Sequence, residues 1–200
     1  MKTRQLPQQA RALATFEKLI AAAQDLMAEE GFEALTSNAV VERAGLTPPA
    51  FYRYFPNKHA LLEELGLRLM DSQNDVIFHM PSDGPLTRAE FVQLAKESLI
   101  KTVEVTQNFR GGYALLVSLR AVPKLQPVRL ESHDKMAKEL AVRAAALGIQ
   151  DTGAPLLAKC RLAIEIGYAT IEMLFETDFK NQNIVLQSSA EAQAAVFGIT

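Results

Sequence analysis

The chain has 200 residues, 48% of them hydrophobic and 22% charged, with a net charge of −2. That is enough apolar material to bury a core, and the charge is too low for disorder to be the first expectation. No run of about 18 apolar residues is present, Met1–Leu13 lacks the apolar centre of a signal peptide, and the lone Cys160 excludes an internal disulfide or a cysteine-built zinc cluster, so a cytoplasmic location and no membrane partner are expected.

Helical periodicity runs through the chain. Phe16, Leu19, Ile20, Ala23 and Met27 recur at helical spacing, with Glu17, Lys18, Gln24 and Asp25 on the other side. This predicts an amphipathic helix over about 9–30. Gly31 stands where a left-handed C-cap needs glycine. Thr36 can cap a short helix reaching about Ala44. Gly45 breaks that helix and Thr47 can cap the next, which Pro48 suits because its first position needs no N–H. The second short helix ends near Tyr54. Asn57, after Pro56, can cap a long helix to about Phe78. A loop is expected at 81–85. Further helices are expected over about 87–107, 112–121, 128–147, 156–177 and 182–197, separated by Gly and Pro signals. The fold class is all-α, with about nine helices and no alternating strand pattern.

The stretch Thr36–Leu62 carries the functional signal. Two short helices joined by a glycine turn form a helix-turn-helix. Val40, Ala44, Leu46, Phe51 and Phe55 are spaced to meet as a small core, which turns the start of the second helix outward. That start is slim, with Thr47, Pro48, Pro49 and Ala50, and slim residues let a helix approach the floor of a major groove. Tyr52 and Tyr54 offer hydroxyls around it, and Arg53 and Lys58 offer charge. Thr36 and Lys58 also lie at helix starts, where N–H groups and the helix dipole favour an anion. The charge distribution agrees. Residues 43–62 hold Arg43, Arg53 and Lys58 and no acid, and Met1–Ile20 adds Lys2, Arg4, Arg11 and Lys18 against Glu17 alone.

With Thr36, Ala44-Gly45-Leu46, Phe51-Tyr52, Tyr54-Phe55, Lys58 and Leu61-Leu62 at these spacings, preceded by Glu30-Gly31-Phe32, residues 10–65 resemble the DNA-binding domain of the tetracycline-repressor (TetR) family. The resemblance implies a homodimer whose two recognition helices enter successive major grooves of a near-palindromic double-stranded operator, and usually a repressor. It implies that Thr36, Ser37 and Asn38 face phosphates or base edges. Thr47, Pro48, Pro49, Ala50, Tyr52 and Arg53 would lie on or beside the groove, with Tyr54 and Lys58 gripping the backbone. Two positions depart from the family pattern: Val41 stands where alanine is common, and Asn38 where some members place a base-reading arginine. The implied organisation is a three-helix DNA-binding domain over 1–60 and a ligand-binding and dimerisation domain over 61–200.

The last helices are apolar on more than one side, and Asn181–Thr200 has Glu191 as its only charged residue. A homodimer through the last two helices is expected, with Ile164, Ile171, Leu174, Phe175, Ile184, Leu186 and Ala195 at the interface. For a small-molecule effector of hydrophobic or amphipathic character, the middle helices supply Phe78, Phe91, Tyr113, Leu116, Arg120, His133, Met136, Tyr168 and Met173. No catalytic or metal motif such as HExxH or GxSxG is present, so an enzyme, a metal and a cofactor are not expected. The alternative is a helical adaptor of the same fold that has lost specific DNA binding.

Overall fold

The computed structural model describes residues 7–78 and 85–199, and the side chains of all of these except Ile77 and Phe78. The loop expected at 81–85 and the side chain of Phe78 therefore lie outside the described residues, Pro85 excepted. Within them the chain is helical, with no strand: α1 (Ala10–Glu29), α2 (Ser37–Ala44), α3 (Pro48–Tyr52), α4 (Lys58–Phe78), α5 (Arg88–Asn108), α6 (Gly112–Ala121), α7 (Gln126–Arg143), α8 (Gly153–Glu176) and α9 (Gln182–Val196).

The local signals explain most of these limits. Thr36 accepts a hydrogen bond from the Ala39 N–H at 3.1 Å, closing the start of α2. Gly45 ends α2 in the left-handed region at φ 64°. Asn57 Oδ1 accepts from the His59 and Ala60 N–H groups at 3.0 and 3.1 Å. Thr87 and Glu90 form a reciprocal capping box at the start of α5. Two expectations change. Thr47 occupies the N-cap of α3 but its side chain makes no capping bond. Pro48 and Pro49 bring no N–H, and that of Ala50 is taken by the Thr47 carbonyl at 2.9 Å. α7 stops at Arg143 rather than near 147, because Ala144–Gly148 tighten into turns that end on Gly148 at φ 81°.

The chain forms two compact units. The first comprises Met1–Met70 and Gln107–Arg129, and the second Asp71–Thr106 and Leu130–Thr200. The boundary near Met70 falls inside α4. In the first unit, Phe16 stacks on Phe55 with ring centroids 5.1 Å apart, and Phe51 lies 5.7 Å from Phe55. Arg68 of α4 holds Glu17 of α1 through two 2.7 Å hydrogen bonds and Glu64 at 2.8 Å. The turn before α6 is tied to α1 as well. Arg110 pairs with Asp25 and, at 2.8 Å, with Glu29. Gly111, at φ 74°, approaches α1 so closely that a Cβ there would lie 2.8 Å from the Met27 Cβ.

In the second unit α8 packs along α9, and Phe91 meets Phe197 edge-on at 5.7 Å within a core of mostly small and aliphatic side chains. This core contains satisfied polar pairs: Thr170 with Ser189 at 2.7 Å, and Ser132 with Asn74 at 3.1 Å. His133 is fully buried, stacks on Tyr168 at 4.1 Å, and bonds Glu165 through Nδ1 at 2.9 Å. Arg161 also holds Glu165, at 2.8 Å.

Two expectations follow. Gly111→Ala adds left-handed strain and a clash with α1, and lowers unfolding free energy by about 1–3 kcal/mol in a urea titration; an unchanged midpoint contradicts the close approach. Burial pushes the Glu165 carboxyl up, but the hydrogen bonds from His133 and Arg161 outweigh it and bring it from 4.5 to about 2. A depressed carboxyl stabilises the fold above its unfolded value, and that contribution is lost as pH falls from about 4.5 towards 2. Glu165→Gln is therefore less stable at pH 7 and flatter across that window; parallel stability curves for the two chains contradict the pairing.

Candidate nucleic-acid interface

The site is built on a helix too short to hold itself. α3 has five residues, fewer than an isolated helix needs. Its direction is set by Phe51, which is fully buried, and by Phe55 just beyond it. With those rings inward, Thr47, Pro48, Pro49, Tyr52 and Arg53 are exposed and Ala50 is half-buried. Tyr52 keeps 55% of its surface open, and its hydroxyl lies 3.2 Å from Ser37 Oγ. Thr36 and Asn38 are exposed at the start of α2. The structure thus brings Ser37 to Tyr52, with Thr36 and Asn38 its exposed chain neighbours. Val41, the departure noted above, is buried beside Val40.

Tyr54 and Lys58 are half-buried. Tyr54 packs edge-on against Phe16 at 5.8 Å, with the Arg53 guanidinium 5.9 Å from its ring. Lys58 sits over the Phe32 ring at 4.8 Å. Tyr54 thus rests its ring on the core, whereas Lys58 brings its ammonium Nζ over the Phe32 ring.

The structure sorts the cations that the sequence pools. Arg43 pairs with Glu29 at 2.8 Å and Glu30 at 3.3 Å, and the Glu29 hydrogen bond raises its guanidinium above the ordinary value. Its charge is neutralised locally. Burial, with the charges of Lys124 and Lys58, lowers the His59 imidazole from its ordinary value. Arg53 and Arg11 form no ion pair among the described residues. They line one open groove with Gln9 and Thr15 of the α1 start and Ala50 and Tyr54 beside α3. Gln9, Arg11 and Thr15 are residues the sequence reading did not assign to the site. In the sequence Arg11 counts only towards the basic balance of Met1–Ile20, and Gln9 and Thr15 are ordinary polar residues of the first turns of α1. Lys2 and Arg4 lie outside the described residues.

The remaining candidates scatter. Tyr113, Leu116 and Arg120 belong to the first unit, with Leu116 buried and Arg120 exposed. Phe91, His133, Met136 and Tyr168 are buried in the second unit, while Met173 is 39% exposed. Of these eight, Tyr168 lines a cavity, together with Gln73, Ser98 and Gln193, which the sequence did not single out. Among the residues expected at a dimer contact, Ile164, Ile171, Leu174 and Leu186 are buried within the chain, Phe175 is half-buried, and Ile184 and Ala195 are exposed. Among the described residues no helix is long and apolar enough to cross a membrane, and no group of three His, Cys, Asp or Glu is placed to hold a metal.

Residues 19–65 match the family model described as bacterial regulatory proteins, tetR family. No curated protein matches the chain. Among solved structures, the chain is similar to a tetR-family transcriptional regulator from Streptomyces coelicolor, at 20% identity and a TM-score of 0.68 over 92% of this chain and 80% of that one. It is similar to Salmonella enterica GusR at 20% identity and a TM-score of 0.66, over 96% and 100% of the two chains. A transcriptional regulator from Rhodococcus sp. Rha1 is similar at 16% identity and a TM-score of 0.66, over 91% and 95%. At these identities the likeness establishes the fold.

The sorting of charges has a measurable consequence. Arg53→Ala and Arg11→Ala each reduce the slope of duplex-DNA affinity against salt by about one per protomer, while Arg43→Ala leaves it near wild type. A slope lowered by the Arg43 change and untouched by the other two contradicts the assignment.

Proposed function

We infer, from the match of residues 19–65 to the model of the tetR family of bacterial regulatory proteins, that the chain is a DNA-binding transcription regulator, a repressor that a small molecule releases from its operator. The observation that supports this best is the start of α3. Thr47, Pro48 and Pro49 are exposed beside the buried Phe51, Arg53 and Arg11 line the adjoining groove without an ion pair, and the capped start of α2 meets Tyr52 through Ser37. In this reading Thr47, Pro48, Pro49 and Ala50 approach base edges with Tyr52. Thr36, Ser37, Asn38, Arg53, Tyr54 and Lys58 hold phosphates. The protein acts by binding, in the cytoplasm, without a catalytic step, metal or cofactor. Residues 1–60 serve DNA, and 61–200 serve the effector and the dimer.

The operator is near-palindromic because the protein is a homodimer, with half-sites about one helical turn apart. The dimer forms through α8 and α9. The faces available for it carry Leu162 and Met173 on α8, 52% and 39% exposed, and Ile184 on α9, 60% exposed, with Ala195 along the same helix. Large exposed aliphatic side chains on adjacent helices are what a partner surface covers. The effector shifts the population towards a spacing of the two recognition helices that no longer matches successive grooves. α4, which runs unbroken through the boundary at Met70, is the lever.

The test is affinity for the DNA upstream of the protein's own gene, titrated in salt, for wild type and Ile184→Glu. The wild type binds tightly and as a dimer, with affinity that falls steeply as salt rises. Ile184→Glu sediments as a monomer and binds more weakly. No binding to this or to genomic fragments at low salt moves the protein to the adaptor reading, and an Ile184→Glu chain that remains dimeric removes α9 from the interface.

A further inference from the structure

The second unit holds a cavity of about 50 Å³ between α4, α5, α8 and α9. Its walls are mostly apolar, from Ala95, Leu99, Ile164 and Ile171, and no charged side chain lines it among the described residues. Its polar groups fall into two kinds. Gln73 is locked, donating from Nε2 to Thr106 Oγ1 at 2.7 Å and accepting from the Tyr168 hydroxyl at 3.0 Å. Thr102 donates to the Ser98 carbonyl at 2.8 Å. By contrast, the Ser98 hydroxyl and the Gln193 amide make no hydrogen bond among the described residues. They leave a donor and an acceptor at the edge of an otherwise apolar space.

We propose that this cavity is the effector site of the regulator and that it takes a small uncharged molecule, with a short apolar body and one hydroxyl, carbonyl or amide group bound by Ser98 and Gln193. The effector role rests on the ligand-responsive reading given above; the ligand class rests on the cavity alone. An ion entering here gives up hydration with no opposite charge to meet it, a cost that a neutral amide or alcohol avoids. Size restricts the class further. The volume is about a third of the roughly 150 Å³ engineered cavity that holds benzene, so the molecule is smaller than a benzene ring unless the cavity widens.

Gly167 offers a direct test. A Cβ there would lie 3.4 Å from Leu99 Cδ2 and 3.5 Å from Gln193 Nε2, both ordinary contacts, so Gly167→Ala puts a methyl group in the cavity without a clash. It also replaces glycine inside α8, which favours the helix. The probes are propionamide and propionate, nearly identical in shape and different in charge, titrated into the full chain and followed by NMR of the cavity methyl groups. Propionamide binds saturably and at least about tenfold more tightly than propionate. Gly167→Ala keeps or raises the melting temperature and loses about tenfold or more in propionamide affinity. Ser98→Ala, which leaves the walls intact, also weakens propionamide. Equal or tighter binding of propionate, no saturable binding of propionamide, or unchanged binding in Gly167→Ala overturns the proposal. Duplex binding is read on the same samples. Duplex binding without propionamide binding sinks the cavity proposal and leaves the regulator reading standing. Propionamide binding with no duplex binding by wild type removes the regulator reading, and with it the effector role.

Discussion

The burial of Phe51 is the constraint on which the interface depends. A five-residue helix has no stability of its own, so the position of α3 is the position in which Phe51 and Phe55 are covered. Phe16 of α1 covers Phe55, and Arg68 reaches from α4 to Glu17, one residue along from Phe16. Fixing two rings inward fixes which residues face out, because helical geometry leaves no other place for Thr47–Ala50 and Tyr52. The outward side of α3 is thus a by-product of packing, and its slim residues contribute little to the core.

Charge placement works in the same direction. The acids at the end of α1, Asp25, Glu29 and Glu30, are matched by Arg43 and Arg110, which draw α2 and the turn before α6 onto that end of the helix. These pairs are partly exposed, and each contributes little to stability by itself. Their larger effect is on the field. They remove like-signed and opposite-signed charge from one end of α1 and leave Arg11 and Arg53 uncompensated at the other. A near-neutral protein can in this way offer a local cationic surface.

Most of the N-terminal part was legible in the sequence, since its signals are local. Thr36, Gly45 and Asn57 act within three or four residues of themselves, and the structure uses each as written. Thr47 has the residue type of a cap but makes no capping bond, because Pro48 and Pro49 leave no N–H for it. The C-terminal part was less legible for a different reason. α8 is apolar on most sides, so periodicity does not separate the buried Ile164 and Ile171 from the exposed Leu162 and Met173. The cavity was invisible for a third reason. Gln73, Ser98 and Gln193 are ordinary surface residue types in a sequence, and they become a site only when α4, α5 and α9 are brought around Gly167.

In the proposed function the start of α3 meets DNA in the major groove. Dimethyl sulfate protection on a bound upstream fragment tests it most directly, because guanine N7 lies in the major groove and adenine N3 in the minor groove. Guanine N7 protection is expected in two patches on one face of the duplex, about ten base pairs apart centre to centre. Protection confined to adenine N3, or a single patch at saturating protein, would contradict it.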